Sequence, residues 1–497
     1  MKRLVFLLAL VLCCSGASLT PPKGTYTLNC NGTNDTGEIS TAINNTAFNT
    51  IYVPATVCMI TSTIAVTAAS LSGTNIVGVD RYASIIRAAP ASNMAQMFND
   101  SGSGTAAPFV IRNLTLDANY GSQTAANPSR IWYFAGTPAV ADMTFTQVQF
   151  LNCGYSACLG FNSGGGATRV NISDNTFSGA QCYQIDMIKT SNFLIHRNIF
   201  SNYNIRGSAS DCPAVRWTNT YANNNEIVSD NIFIPLVAKE NAIEGNSATG
   251  VPLTGFTISG NTCNANATGG CGINVACAFC SIVGNAISNG SPTLSSGSDG
   301  TALAAGIEVT PYYVTVEGNS LQNGEIMILT NTGLCAYCVT GVNVIGNMIS
   351  NASSTASGPV VIDVVGITNF VIAKNNILTN YTGSVSGSRG IFLGYSTQTG
   401  ATVIGQGLVT ENVYNAIGSV NDQCIRLLTT SSSQITIKGN VCQGNAVGMT
   451  LPSTTVDTNL TIVSNDFYAA TAGVSGTAIG TGNLITNNKT SVLNWTY

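Results

Sequence analysis

Charged side chains, which acid–base chemistry requires, are scarce in this chain and concentrated in one stretch. Only 8% of the 497 residues are charged, yet residues 181–245 hold 11 of the 40 charged side chains. Paired carboxyl groups at a suitable separation can act as general acid and general base on a glycosidic bond. We therefore predict five catalytic candidates in this stretch: Asp186, Asp211, Arg216, Glu240 and Glu244.

These five residues support a hydrolase interpretation. Asp186 with Glu244, or Asp211 with Glu240, would supply the acid and the base. Arg216 would bind the carboxylate of an acidic sugar through two N–H groups, which a guanidinium offers in one plane. The substrate expected from this arrangement is an acidic polysaccharide.

Two other interpretations stay open. In a polysaccharide lyase, Arg216 or Lys239 would accept a proton and carboxylates would hold Ca²⁺, which prefers oxygen ligands. No other cofactor and no definite metal ligand is expected. Alternatively, Asp186, Arg216 and Glu244 form a stack of alternating charge that is stable in water and needs no substrate.

A strand motif predicts how these residues are positioned. An apolar–x–apolar triplet recurs along the chain, as in Ile185-Asp186-Met187 and Val215-Arg216-Trp217. In a strand the outer residues of a triplet point to one side and the middle residue to the other. Stacked triplets would therefore align their middle residues in a column on the surface. The predicted column is Asp186, Arg216, Glu244, Asn274, Glu308, Met327, Asp363, Phe392 and Arg426, preceded by Gly160 and by Tyr133 or Trp132.

The spacing of the column suits a glycosidase. Carboxylates two rungs apart would be separated by about 9–10 Å at the backbone, close to the roughly 6.5–9.5 Å between the carboxyl groups of inverting enzymes. Glu308 and Asp363 form a sparser second pair, and aromatic rings near the column could stack on sugars. Six residues are predicted to bind substrate: Trp132, Tyr133, Lys189, Lys239, Glu308 and Asp363.

A second repeat predicts the elements that carry the column. An Asn recurs with an apolar residue usually three positions before it and another two positions after it. Intervals of 20–50 residues are typical of solenoids, and short β-branched runs bounded by Gly, Asn and Ser predict strands. Each coil would add one strand to each of about three parallel sheets. We expect the Asn to occupy a tight bend, to tolerate its backbone angles and to bond its equivalents in a ladder. The repeated residues are Asn175, Asn198, Asn231, Asn261, Asn285, Asn319, Asn347, Asn375, Asn412, Asn440 and Asn465.

Nearly the whole mature chain resembles the pectate-lyase superfamily, which includes pectate lyases, polygalacturonases and phage tailspike depolymerases. The resemblance rests on a short amphipathic helix after Asp35-Thr36, a Tyr52-Val53-Pro54 strand, an Ile76-Val77-Gly78 turn and the strand 111–117. It implies a right-handed parallel β-helix whose first coil is plugged by the helix, with a substrate groove along one sheet. The polygalacturonase motifs are not matched: residues 420–425 carry one Asp where that family has two, and the Asn-Thr-Asp motif is absent. That family's hydrolytic mechanism is therefore not carried over.

The predicted fold is all-β: a single-stranded right-handed parallel β-helix with an N-terminal capping helix. Residues 1–17 read as a signal peptide, residues 18–100 as the cap and first coils, and residues 101–497 as the β-helix. No later stretch is apolar enough to span a membrane. A net charge of −4 provides no basic surface for nucleic acid. A homo-oligomer is left open.

Removal of the signal peptide would leave 14 cysteines, an even number that predicts disulfides in an oxidising compartment. Cys277-x-x-Cys280 and Cys335-x-x-Cys338 are interpreted as local staples, because no His lies near them. The function expected is a secreted, pectinase-like glycoside hydrolase or polysaccharide lyase. The alternative is a non-catalytic adhesin or glycan-binding surface protein of the same fold.

Overall fold

The computed structural model describes residues 24–490 with gaps, in 22 segments. They are 24–100, 108–124, 130–135, 140–154, 157–162, 165–203, 212–218, 223–235, 241–245, 253–265, 271–288, 307–329, 340–351, 360–380, 388–394, 403–417, 422–428, 431–444, 447–451, 456–468, 472–476 and 481–490. The predicted signal peptide lies outside these residues. Within them, no helix is long and apolar enough to cross a membrane.

The described strands pair in parallel and wind into one right-handed β-helix with three faces, as predicted. Faces 1 and 2 belong to a sheet of 34 described strands, and face 3 is a separate sheet of 16. Each strand pairs with the equivalent strand one coil later, as Ile185–Met187 does with Val215–Trp217. Backbone N–H and C=O groups are thus satisfied between coils, which permits strands of only a few residues.

The strand bounds follow the three faces. Face 1 contains Ile64–Val66, Gln96–Asp100, Arg130–Phe134, Leu159–Phe161, Ile185–Met187, Val215–Trp217, Ile243–Gly245, Ile273–Ala278, Ile307–Glu317 (which continues into face 2), Ile326–Leu329, Val360–Val365, Arg389–Gly394, Gln423–Leu428, Val447–Thr450 and Ala472–Ser475. Face 2, with the short strands that lead into it, contains Gly24–Thr27, Phe48–Val53, Asn75–Gly78, Phe109–Arg112, Val140–Thr146, Ala167–Ser173, Thr190–Ser191, Leu194–His196, Ile227–Ser229, Leu253–Thr254, Thr257–Ser259, Ser281–Val283, Thr340–Ile345, Thr368–Ala373, Val403–Thr410, Ser431–Lys438, Val456–Thr458, Thr461–Val463 and Leu484–Thr486. Face 3 contains Val57–Ile60, Ile85–Ala88, Thr115–Asp117, Gln149–Leu151, Thr176–Ser178, Ile199–Ser201, Ile232–Ile234, Thr262–Asn264, Ala286–Ser288, Ser320–Gln322, Met348–Asn351, Asn376–Asn380, Val413–Ile417, Val441–Gln443, Asp466–Tyr468 and Lys489–Thr490.

The core runs along the axis of the coil because alternate residues of every face point inward. Phe150, Phe177, Phe200 and Phe233 occupy one inward position of face 3 on successive rungs. Their rings stack at centroid distances of 4.5, 4.9 and 4.9 Å. Similar side chains placed one rung apart thus fill the interior continuously, as the periodicity predicted.

The repeated Asn residues form the predicted ladder at the bend between faces 2 and 3, called here the ladder corner. Each Asn donates from Nδ2 to Oδ1 of the next, as Asn285 does to Asn319 at 2.9 Å. The same Oδ1 accepts the backbone N–H of Asn285 at 2.9 Å. A twelfth member, Asn488, follows Asn465 and was missed in the sequence. These side chains are buried, so the ladder satisfies polar groups that water does not reach.

At the ladder corner, the residue before each Asn has the left-handed backbone angle. We expected the Asn itself to adopt the unusual angle, and that expectation is wrong. Positive φ is found at Asp174, Arg197 and Asp230, and at glycines such as Gly284. The Asn therefore needs its amide, which both donates and accepts, whereas its predecessor has to tolerate the bend.

Two helices, α1 (Thr36–Asn44) and α2 (Ala68–Leu71), lie at the N-terminal end. Ile39, Ala42 and Ile43 of α1 are buried against the first coil, as the resemblance implied. Asp35 is the N-cap, but its side chain does not cap the helix. Its carboxylate instead accepts the backbone N–H groups of Asn31 and Met59, both at 2.7 Å. Asp35 thereby fastens the cap to the first coil.

Five disulfides join described cysteines within one coil or between adjacent coils. They are Cys30–Cys58, Cys153–Cys158, Cys182–Cys212, Cys263–Cys271 and Cys424–Cys442. Cys277 and Cys280 are free and buried, so the staple predicted for them is wrong. Both thiols lie in the core on either side of the bend at Phe279, and Cys280 donates to the carbonyl of Ala278. Cys335 and Cys338 lie outside the described residues.

Candidate functional site

The predicted column lies on face 1 in the predicted register. Strand pairing joins Gly160, Asp186, Arg216, Glu244 and Asn274 on consecutive rungs. The pairing continues through Glu308, Met327, Asp363, Phe392 and Arg426. Of the two earlier candidates, it is Tyr133 that pairs with Gly160. Alternation within short strands therefore suffices to set this register.

Asp186, Arg216 and Glu244 form a contiguous charged cluster, called here the triad. Arg216 Nε donates to Asp186 Oδ1 at 3.0 Å, with the side chains 26% and 17% exposed. Arg216 Nη1 donates to the hydroxyl of Tyr183, whose ring lies 3.8 Å from the guanidinium carbon. Glu244 lies opposite Arg216 on the next strand of face 1 and is 6% exposed. The cation is thus flanked by carboxylates on both neighbouring rungs.

Electrostatics keep Arg216 charged and Tyr183 protonated. Burial alone would lower the pKa of Arg216, but the charge and hydrogen bond of Asp186, with Tyr183 and Glu244, outweigh it and raise that pKa. Burial raises the pKa of Tyr183, and the charges of Asp186 and Glu244 add to the rise while Arg216 opposes it. A guanidinium held in its charged form can stabilise negative charge but is a poor proton acceptor.

The Tyr133 ring covers Gly160 at one end of the triad. A Cβ on Gly160 would lie 2.9 Å from Cδ2 of Tyr133, so the aromatic ring occupies the space above the glycine. The guanidinium of Arg130 packs over this ring at 4.0 Å, and the Tyr133 hydroxyl accepts from Asn162 Nδ2 at 2.9 Å. The half-buried ring is therefore held in place next to Asp186.

A pocket lies a few residues further along the same coils. Its volume is about 410 Å³, and its lining includes Lys189, Thr168, Ser191 and Asn224. Ser191 Oγ donates to Thr168 Oγ1 at 3.0 Å. Lys189 follows Asp186 by three residues. A cation among hydroxyls and an amide suits an anionic group on a sugar.

Glu226 lies behind the pocket and was missed in the sequence. Its carboxyl group accepts the Thr190 hydroxyl at 2.8 Å and the Phe193 backbone N–H at 2.9 Å. Burial raises the pKa of Glu226 to about 8, although these two hydrogen bonds oppose the rise. The sequence did contain a signal for this residue, because Glu226 occupies the inward position that Phe193 and Phe256 fill on neighbouring rungs. Tyr183 was also missed; it gave no comparable signal.

Two predicted substrate contacts are corrected by burial. Trp132 is 0% exposed and stacks on Phe98 in the core, because it takes the inward position next to outward Tyr133. Asp363 is 2% exposed, beside a separate apolar cluster on face 1. That cluster consists of Met327, Leu329, Val360, Val365 and Phe392. Trp132 therefore has no face open to a substrate, and the Asp363 side chain is almost wholly covered.

The remaining candidates are only partly placed. Asp211, Lys239 and Glu240 lie outside the described residues, and only the backbone position of Glu308 is described. Across the described segments, no group of three or more His, Cys, Asp or Glu residues could hold a metal ion. The triad with Tyr133 and Lys189 is therefore the part of the predicted site that the structure brings together.

Comparison with known proteins reveals similarity in fold. No protein-family model matches the chain, and a search of curated proteins finds no match. Among solved structures, the catalytic unit of a thermostable GH87 alpha-1,3-glucanase from Streptomyces thermodiastaticus is 13% identical, with a TM-score of 0.45 over 92% of this chain and 70% of the other. DFA-IIIase from Arthrobacter chlorophenolicus without its lid is 10% identical, with a TM-score of 0.43 over 78% and 94%. PfbA, a surface adhesin of Streptococcus pneumoniae, is 13% identical, with a TM-score of 0.41 over 90% and 91%. Likeness this distant carries no argument about function, which has to rest on the residues themselves.

Proposed function

We propose that this chain is a secreted enzyme that hydrolyses an extracellular acidic polysaccharide along face 1. The observation that carries the proposal is the triad: two carboxyl groups, those of Asp186 and Glu244, on either side of one guanidinium, next to a pocket that contains Lys189. Five disulfides are typical of a secreted protein and support the same proposal. We also propose distant kinship with the pectate-lyase superfamily, from the coil and its plug helix.

The proposed roles follow from the environment of each carboxyl group. Asp186 forms an ion pair with Arg216 and would activate a water molecule as general base. Glu244 is more shielded from water and would donate a proton to the leaving oxygen as general acid. Their two-rung separation of about 9–10 Å at the backbone is close to the carboxyl spacing of inverting glycosidases, so we predict inversion of the anomeric centre.

Hydrolysis is favoured over β-elimination by the state of Arg216. A lyase needs a base that accepts a proton from the sugar ring, and the raised pKa of Arg216 makes it unsuited to that role. The Nε–H of Arg216 already donates to Asp186, so the side-on two-pronged contact with a sugar carboxylate, which needs that N–H, is not available. Lys189, in its pocket, is the better partner for the acidic group.

A panel of acidic polysaccharides tests this function, with assays for new reducing ends and for unsaturated products that absorb ultraviolet light. Asp186→Asn and Glu244→Gln should each lower kcat by about 10²–10⁴-fold, the usual contribution of a general acid or base. Asp174→Asn is the matched control, because Asp174 forms an ion pair with Arg197 at the exposed ladder corner. That variant should keep full activity.

Three results would contradict the proposal. Unsaturated products would show a lyase. Binding of polysaccharide with no product of either kind would show a non-catalytic adhesin. Equal losses in Asp186→Asn and Asp174→Asn would mean that the triad has no special role.

A further inference from the structure

Two exposed aromatic rings lie together at the bend between faces 1 and 2, called here the first corner. Phe279 is 60% exposed and Tyr313 is 53% exposed. Their rings are nearly parallel, with centroids 5.7 Å apart and an interplanar angle of 7°. Tyr312 packs edge-on against Tyr313 at 4.8 Å and fixes its orientation. Phe279 and Tyr313 together are called the aromatic shelf. Neither residue belongs to the triad or to the Lys189 pocket.

Aromatic residues are unusual at this position of the coil. Strand pairing on both sides of the first corner makes Phe279 and Tyr313 equivalent to Asn225, Gly255 and Gly341 on neighbouring rungs. From Asp142 onward, every described residue at this position has positive φ, and apart from the shelf each is Gly, Asn, Gln, Asp or Arg. The others described are Asp142, Arg169, Asn192, Asn225, Gly255, Gly341, Asn369, Gln406, Gln434, Asn459 and Gly482.

Backbone conformation does not account for aromatic residues here. The φ angles of Phe279 and Tyr313 are 57° and 55°, in a region that Gly and Asn adopt readily and bulky side chains rarely do. Burial does not account for them either, because both rings face solvent. A strained conformation that folding does not require points to a function of the side chain.

The surroundings of the shelf match the chemistry of a neutral sugar. Gly255, on the rung before Phe279, has no side chain, and the place that its Cβ would take lies 2.6 Å from Oδ1 of Asn225. On face 2, two residues beyond each ring, Thr257, Ser281 and Thr315 form a row of hydroxyl groups on consecutive rungs. A pyranose offers C–H groups that pack on an aromatic ring and hydroxyls that bond to such a row.

We propose that the aromatic shelf is a binding site for a neutral polysaccharide, separate from the catalytic triad. The chain would lie across the first corner with sugar rings stacked on Phe279 and Tyr313 and hydroxyls directed toward Ser281 and Thr315. The site would hold the protein on a neutral glycan matrix while the triad acts on an acidic component. It does not depend on whether the triad is catalytic.

The test measures binding to insoluble cellulose, xylan, mannan and β-1,3-glucan by depletion of protein from solution, in an Asp186→Asn background that prevents cleavage. Phe279→Asn and Tyr313→Asn install the residue that four equivalent corners carry, so the melting temperature should stay the same or rise. Binding to at least one of these polymers should weaken about tenfold in each variant. Tyr468→Asn, which removes another exposed ring from face 3, should bind as the parent does.

The outcomes separate this site from the proposed activity. Parent protein that binds none of the four polymers would overturn the shelf proposal, as would undiminished binding by both shelf variants or an equal loss in Tyr468→Asn. Loss of hydrolysis in the triad variants with neutral glycan binding intact supports both proposals. Neutral glycan binding without any hydrolysis by the wild-type protein would overturn the enzyme and leave the shelf standing.

Discussion

At the residue scale, the most informative side chains are polar groups placed where the repeat provides an apolar position. Glu226 stands among inward-facing Phe193 and Phe256, and it is held by Thr190 and the Phe193 backbone. Because Thr190 also borders the Lys189 pocket, Glu226 connects the core to the candidate substrate surface. A neutral carboxyl group is the form that this position favours.

Glu226 should make stability depend on pH. Its pKa is raised from 4.5 to about 8 in the folded protein, so the folded state binds the proton more tightly than the unfolded state. The stabilisation is complete below about pH 4.5 and is lost as the pH rises through about 8, amounting to several kcal/mol. Melting temperatures from pH 4 to 9 should therefore fall more steeply for the wild type than for Glu226→Gln, which keeps a neutral side chain. Parallel curves for the two proteins would rule out this account.

The left-handed position before each ladder Asn gives a second test at this scale. Gly284 has φ +65°, and no neighbouring atom lies within 4 Å of the place that a Cβ would take, so Gly284→Ala adds backbone strain and no clash. It should cost about 1–2 kcal/mol, measured as a lower unfolding midpoint. Gly37 in α1 also has open space but no positive φ, and Gly37→Ala should be neutral or stabilising. Equal effects of both substitutions would contradict the strain argument.

At the element scale, the Asn ladder connects the coils more specifically than the strands do. Each internal Asn donates to the next Asn and to a backbone carbonyl, while its Oδ1 accepts two N–H groups from the preceding Asn. Replacing one internal member therefore leaves buried donors and acceptors unpaired on both neighbouring coils. The ladder should fix the register of coils whose apolar strands are otherwise alike.

Substitution within the ladder should cost more in the middle than at the end. Asn319→Ala removes contacts to Asn285, Asn347 and the Ile282 carbonyl, so we expect a loss of about 3 kcal/mol or more. Asn488→Ala, at the last described rung and 9% exposed, removes contacts on one side only. Guanidinium unfolding midpoints of the two variants compare these costs directly. A loss at Asn488 as large as that at Asn319 would argue against cooperation along the ladder.

At the scale of the whole molecule, the solenoid separates functions along and around one axis. The triad lies on the rungs near residues 186–244, the apolar cluster covers face 1 between residues 327 and 392, and the aromatic shelf lies at the first corner. The described disulfides join cysteines of the same coil or of adjacent coils, with sequence separations of 5–30 residues. Each region can therefore change with little effect on distant coils.

The unpaired cysteines test the packing of the assembled coil. Burial, with the hydrogen bond and charge of Cys280, raises the pKa of Cys277 well above its usual value, so its thiol stays protonated. Iodoacetamide should therefore fail to label Cys277 and Cys280 in the native protein and should label both after unfolding without a reductant. Cys182 and Cys212, which are bonded, should require a reductant, as peptide mass spectrometry would show. Native labelling of Cys277, or failure to label it after unfolding, would contradict this arrangement.

The sequence by itself determined the coil, its cap, the Asn ladder and the register of the column. These features depend on periodicity within about 30 residues, on alternation within a strand and on the hydrogen-bonding capacity of one side chain, all of which are local. Tertiary structure decided which parts of the column meet water and which partners they have. Asp186 stays partly exposed and bonded to Arg216, whereas Asp363, in the same register, is buried. Exposure depends on contacts with neighbouring coils and with segments distant in sequence. The repeat pattern does not encode these contacts.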